Sequence, residues 1–402
     1  VSLTAPSRLR SGRPARLSRP IGPRAVWAAL FVNLLAFSDL PTVVPLPGVA
    51  GQLITQSALV LAVLLALLAN PAGALRPSLF LVLLTALAVV ALTVSLHSEF
   101  LIGSTFRACR LLTFVAVLWL LTPWWGRPDM ILLRSHLTCL RVVLFTVLIG
   151  VLLAPGAAFS YDGRLSGALW PIPPTQVAHY AAVLLGATVV LWFSDVVPLR
   201  TMLLTLAGAG AALAGAHTRT ALVAMVAGLL VAGASLFVGH ARVRRTSAMV
   251  GVFVVLIATT LGPVLREWAL RGQSAQEAGD LTGRTLVWSA VFKLRRTPLE
   301  EIFGSGLSNK SFNGLPIDSN WVATYLDQGW FGVSVDAMLL LLLLALAVSR
   351  PRGPRRAVAL FLVVYCLVAS ITETGLGDAS PYLLELASAA ALLAPPARVD
   401  SG

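Results

Sequence analysis

Apolar runs long enough to cross a bilayer recur from one end of this chain to the other, and that recurrence constrains the fold more than any motif does. A spanning helix needs about 20 predominantly apolar residues. Runs near 25–40, 49–69, 78–96, 106–123, 141–158, 174–193, 199–217, 220–239, 247–264, 321–348, 357–371 and 382–396 reach or approach that length. They predict an all-α, polytopic integral membrane protein with about twelve transmembrane helices. Only 12% of the 402 residues are charged. Soluble domains carry about 25%, so a soluble globular fold is excluded.

The net charge of +13 does not point to nucleic acid, because the basic residues sit in short clusters between apolar runs. That is the positive-inside pattern. Residues 1–24 hold six arginines and no acid, and read as a disordered basic cytoplasmic tail. A signal peptide is the rival reading, since the run Ala25–Phe37 is short. The following "LPTVVPLPG" offers no small-x-small cleavage site, so the run is taken as a spanning helix. Arg76, then Arg127, Arg134 and Arg141, then Arg200, "RVRR" at 242–245 and "RPRGPRR" at 350–356 alternate to one side. They place both termini in the cytoplasm, residues 25–402 in a single membrane domain, and the loop 265–317 outside. Only Lys293 and Lys310 are lysine, which fits a high-GC bacterial gene and the bacterial cytoplasmic (inner) membrane. Cys109, Cys139 and Cys366 form no CxxC and read as buried small hydrophobes. The five histidines lack metal-ligand spacing.

The long loop begins with polar "RGQSAQEAGDLTG". "RTLVWSAVFKLRRTPLEEIF" then sets Leu286, Val287, Ala290, Val291 and Leu294 at helical spacing. An amphipathic external helix is expected there, capped by Thr282, ended before Pro298, and lying on the membrane surface. Headgroup contact accounts for Lys293, Arg295 and Arg296. "GSGLSN" reads as a turn.

Arg107, Arg110, Arg164 and Arg219 fall outside that loop yet off the cytoplasmic side. Arg219, in "AGAHTRTALVAM", lies between two apolar runs with almost no loop. A charge held there suggests a function, or else snorkels to the interface. Arg164 and Arg284 each follow a glycine. Arginine suits bidentate phosphate recognition, and several external arginines suggest an anionic, lipid-linked ligand. The "GSG" lacks a following Lys-Ser/Thr, so it is no P-loop. GxSxG, HExxH and DxD are absent, which leaves no call for a metal, a cofactor or a nucleotide sugar.

Four stretches resemble the bacterial O-antigen ligase and O-antigen polymerase superfamily, in that family's order from Gly163 to Val333. "GRLSGALWPIPPTQVAHYAAVLLG" is similar to its Arg-x-x-Gly segment before a helix, and "HTRTALVAMVAGLL" to its (Ser/Thr)-Arg-(Thr/Gly)-Ala helix start. "GRTLVWSAVFKLRRTPLEEIFGSGLSN" resembles its Gly-Arg-x-x-x-Trp helix, which includes Trp288. "DSNWVATYLDQGWFGV" resembles the helix start that carries Gly-x-x-Gly. The resemblance implies an inverting, metal-independent membrane glycosyltransferase acting on an undecaprenyl-diphosphate-linked oligosaccharide, with a glycan acceptor. A surface or exopolysaccharide polymerase is favoured over an O-antigen-type ligase. Arg219, Arg284 and Arg164 would hold the diphosphate. Where ligases commonly carry His-Asn, this chain has Asp318 and Ser319. Asp318 would take the acceptor proton as catalytic base, or it only caps the helix. His217, Glu373, Asp327 and Trp288 are accessory candidates. Asp327 and Gln328, ahead of Gly329, are read as a helix break facing the cavity. Asp336 and Glu385, deep in apolar runs, are expected to pair inside the bundle. The rival class is a polysaccharide or ion-coupled transporter or flippase, although the runs show no two-fold repeat.

Overall fold

The structure, a computed structural model, describes residues 21–45, 47–237, 239, 242–246, 260 and 284–396. The tail before residue 21, most of the run 247–264, the polar stretch 271–283 with the Thr282 cap, and Arg398 lie outside those residues. Helices α1 (Ile21–Asn33), α2 (Gly48–Ala69), α3 (Leu79–Ser95), α4 (Leu101–Leu120), α5 (Ile131–Leu153) and a single turn α6 (Pro155–Ala158) come first. They are followed by α7 (Pro174–Phe193), α8 (Leu199–Ala216) and α9 (Arg219–Phe237). After the gap come α10 (Arg284–Lys293), α11 (Pro298–Phe303), a two-stranded ribbon β1 (Ser311–Phe312) and β2 (Leu315–Pro316), α12 (Asn320–Ser349), α13 (Pro354–Ala369) and α14 (Pro381–Leu393). Seven of these helices are long and apolar enough to cross a membrane, and α3 and α14 are shorter apolar helices. The chain is therefore a largely helical protein suited to a bilayer. α5 begins ten residues before the expected run at 141, because Arg134 and Arg141 lie within it rather than ahead of it.

Hydrogen bonds sort the loops to two ends. At one end Arg76 Nη1 donates to the Trp125 carbonyl, Arg350 Nε to that of Leu393 and Arg242 Nη1 to that of Trp192. At the other, Arg164 meets the α8–α9 corner, Thr220 meets Thr372, and Arg284 meets Asp318. The arginine clusters that sequence assigned to the inside thus share one end. If that end is cytoplasmic, a Cys-free variant carrying Ser289→Cys is labelled by an impermeant thiol reagent in intact cells. Pro351→Cys is labelled only after lysis. The opposite pattern would invert the protein.

α7 is the most enclosed of the long helices, packed by α8, α9 and α13. α13 and α14 have 16 and 13 residues. At 1.5 Å per residue they rise only about 24 and 20 Å, short of a bilayer core of about 30 Å. Their connecting loop 370–380 packs against the start of α9 and the start of α12, through Thr220–Thr372 and Asn320 N to Ser370 O, and the region where these segments meet is termed the recess.

α12 fills part of that recess by reversing. Gly329 has φ 63° and ψ −163°, a combination only glycine occupies at low cost. Asn320 Nδ2 donates to Asp336 Oδ2 at 2.8 Å and Thr324 Oγ1 to the same oxygen at 3.0 Å. In a straight helix the sixteen residues from 320 to 336 would span about 24 Å. The arm 320–328 must therefore fold back along the arm 330–349. The tenth apolar run is thus a re-entrant half-helix followed by one crossing helix. A Cβ at Gly332 would lie 2.9 Å from the Thr324 methyl, so glycine there permits the close approach of the arms.

A broken helix leaves carbonyls without partners. Here Arg296 donates Nη1 to Tyr325 O at 2.9 Å and Nη2 to Leu326 O, with its guanidinium 4.9 Å from the Tyr325 ring centroid. Ser305 N reaches Leu326 O and Gly306 N reaches Asp327 O at 3.0 Å. Arg296 is thus a helix-end clamp, which corrects its assignment to headgroup contact. The "GSG" turn is the other half of that clamp. The preceding α11 starts with a capping box between Thr297 and Glu300. α10 turns Val287 and Val291 onto Ile317, Val322, Ala323 and Leu326 of the half-helix region. It is held by protein on that face, while Leu286 and Phe292 stay exposed.

Candidate functional site

Four residues far apart in sequence, Arg164, Arg284, Asp318 and Glu373, come together at the recess, with the α8–α9 corner beside them. The 160–170 loop carries Arg164, whose Nε donates to Ala216 O at 3.1 Å and Nη2 to Thr218 Oγ1 at 3.0 Å. Ala216 ends α8, so this arginine satisfies a terminal carbonyl and fixes the corner. His217, left-handed at φ 49°, turns that corner, and Arg219 opens α9 directly after it. Thr220 Oγ1 lies 2.7 Å from Thr372 Oγ1, which brings α9 against the residue preceding Glu373. Arg284 opens α10, and its Nε donates to Asp318 Oδ2 at 3.0 Å.

Asp318 is not the helix cap. Ser319 is the residue before the half-helix, and no side chain caps it. Asp318 stands one position further out, paired with Arg284 and partly exposed. The amino end of the half-helix faces the same place, where the helix dipole favours an anion. Glu373 is affected by the same set of charges. Burial pushes its carboxyl up to about 7, and the negative Asp318 adds to that. Arg284, His179 and Arg164 pull the other way. The site thus combines two unlike carboxyl groups with arginines from three segments. Trp288, one helical turn after Arg284, has an indole Nε1 that is buried without a hydrogen-bond partner among the described residues. Buried donors are normally paired, so a ligand acceptor is the natural complement.

Other candidates are placed elsewhere. Asp327 is 1% exposed and accepts from Lys310 Nζ at 2.6 Å, while Gln328 Nε2 donates to Gly377 O at 2.7 Å. Both tie loops to the half-helix rather than facing the site. Arg107 donates to Ser308 O in the turn after α11, and Arg110 to Asn33 O at the end of α1, so each holds a backbone segment in place. Asp336 pairs inside α12, as expected of a deep acid. Cys366 is buried, but Cys109 is exposed on the surface of α4, contrary to its expected burial.

Glu385 pairs inside the bundle as expected, but its cluster of partners was not evident from the sequence. Glu385 on α14 lies 2.8 Å from His179 Nε2 and 4.0 Å from His136 Nε2. His179 Nδ1 is 3.0 Å from Tyr365 Oη, and Trp27 Nε1 donates to His136 Nδ1 at 3.4 Å. Since an indole N–H only donates, His136 Nδ1 must be bare and its proton lies on the Nε2 facing Glu385. The members come from five helices, so no spacing rule could find them. Among the described residues no group of His, Cys, Asp and Glu has metal-site geometry.

Two cavities, of about 490 and 760 Å³, lie at the end opposite the recess. No family model matches the chain, and no curated protein matches it.

Proposed function

We propose that the chain is a membrane glycosyltransferase. It would transfer or polymerise a glycan from an undecaprenyl-diphosphate-linked donor at the recess, with polymerase activity favoured over ligation to another acceptor. The observation that carries this reading is the gathering of Arg164, the Arg219 corner and the Arg284–Asp318 pair beside Glu373. The three arginines outnumber the two acids, as a diphosphate requires, and a neutral Glu373, its carboxyl raised to about 7, widens that excess. Arg219 and Arg284 bind the leaving diphosphate and stabilise its growing charge. Asp318 takes the proton of the acceptor hydroxyl as its oxygen attacks the anomeric carbon from the face opposite the departing phosphate. Protonated Glu373 donates a hydrogen bond within the same site.

Arg219→Lys and Arg284→Lys test the phosphate role. Lysine keeps the charge but loses the fork. Each is expected to lower polymer output about 10–100-fold at equal protein level, from the ~1.5–3 kcal/mol of a hydrogen bond to a charged group. Unchanged output from both variants would remove the diphosphate assignment.

A proton-coupled transporter is the second reading, favoured by the buried Glu385 cluster, since membrane-embedded acids and histidines commonly form proton relays. Reconstituted protein that acidifies vesicles on addition of a lipid-linked glycan, without lengthening it, would establish that reading instead.

A further inference from the structure

The larger cavity, of about 760 Å³, is walled by α1, α5, the end of α7 and the start of α8. Arg24, Arg134 and Arg141 line it together with Leu137, Leu191 and Val197, and no acidic residue does. None of the three guanidinium groups makes a hydrogen bond or ion pair with another described residue. The smaller cavity is different, because its Arg76 and Arg350 are both satisfied by backbone carbonyls. Arg134 and Arg141 are seven residues apart on α5, so two turns separate them on one helix face, about 10 Å along the axis. Arg141 lies ten residues into a helix of 23, about 15 Å from its start. An arginine at that depth is costly unless an anion or water reaches it. Positive-inside sorting accounts for basic residues at an interface. It does not account for three of them converging, without partners among the described residues, on one cavity whose other walls mix apolar residues with Ser135, Thr138 and Thr201.

The geometry points to a binding site for an anionic phospholipid, with the headgroup phosphate held between Arg134 and Arg141, Arg24 closing over it, and an acyl chain along Leu137, Leu191 and Val197. The charge is complementary to a phosphate diester, and the apolar walls are complementary to a lipid tail. The site is at the opposite end from the recess and does not depend on the glycosyltransferase reading.

Full-length protein is released from nanodiscs containing equal phosphatidylglycerol and phosphatidylcholine, and the retained lipid is measured by native mass spectrometry. Wild type is expected to retain phosphatidylglycerol over phosphatidylcholine by roughly tenfold, as three arginines near a headgroup allow. The Arg134→Gln/Arg141→Gln pair is expected to lose that preference. Thr138→Trp, which keeps every arginine but fills the cavity from an exposed lining position, is expected to lose retention as well, so the conclusion does not rest on one variant folding. Equal retention by wild type and the double glutamine variant would overturn the site. Displacement of phosphatidylglycerol by millimolar inorganic phosphate would show that free phosphate occupies it, and would overturn the lipid assignment.

Discussion

Asp318→Asn is expected to lower glycan transfer by about 10²–10⁴-fold, the usual range for losing a general base, while donor binding persists. The substitution is informative because Asp318 caps nothing. The cap position belongs to Ser319, and among the described residues the Asp318 side chain accepts a hydrogen bond from Arg284 alone. Asparagine can still accept that bond, so the half-helix keeps its start and only proton acceptance is lost. Glu373 gives the same experiment a pH signature. Its carboxyl, raised to about 7 by burial and by Asp318, is neutral below that pH and ionised above it. Once it ionises, two carboxylates face one another and a hydrogen-bond donor disappears. Activity is therefore expected to decline on the alkaline side with a midpoint near 7. Glu373→Gln, which keeps a donor at all pH values, is expected to flatten that limb. Asp327 is unsuitable as a control, because it anchors Lys310; exposed Glu301 serves better. Single-turnover rates on purified protein separate the outcomes. A near wild-type rate for Asp318→Asn would pass the proton to Glu373 or His217.

Gly329→Ala is expected to prevent stable folding of the half-helix hairpin. Backbone in this φ/ψ region costs a non-glycine residue about 1–3 kcal/mol. Crowding adds to the strain, since a Cβ at Gly329 would lie 2.4 Å from the Ile302 carbonyl carbon. That neighbour is backbone, and it cannot swing aside. Gly314 provides the comparison: its φ is also positive, at 78°, but a Cβ there meets nothing within 4 Å. Gly314→Ala should lower the Tm by the small amount that strain alone implies. Gly329→Ala should lose most folded protein or melt far earlier in detergent. Equal Tm values for the two variants would show that the α11–α12 contact contributes little. Arg296, which clamps the carbonyls beside the break, belongs to the same unit.

The recurrence of long apolar helices and the break at Gly329 were legible in the sequence, because period and composition act locally. The direction change at Gly329 was not. A glycine after Asp327 and Gln328 marks a break, but nothing local tells a bend from a reversal. That follows from Asn320 and Thr324 finding Asp336, a tertiary contact. Arg296 was misread for a related reason, since the carbonyls it serves exist only because the helix stops. Arg134 and Arg141 were read as loop residues because their charges interrupted an apolar run that α5 in fact continues through. Glu385 was singled out as a deep acid in want of a partner, while His136 and His179 were invisible as its partners across separate helices. Asp318 kept two readings in the sequence, and the position of Ser319 decides against the cap.

Glycosyl transfer at the recess is read out by giving purified, bilayer-reconstituted protein an undecaprenyl-diphosphate-linked oligosaccharide with no nucleotide present. A ladder of longer lipid-linked glycans and stoichiometric release of undecaprenyl diphosphate are expected. The ladder should persist in a chelator and be lost in Arg284→Lys. Donor that stays at its original length while wild-type protein binds it, or moves it across the bilayer, would contradict the account.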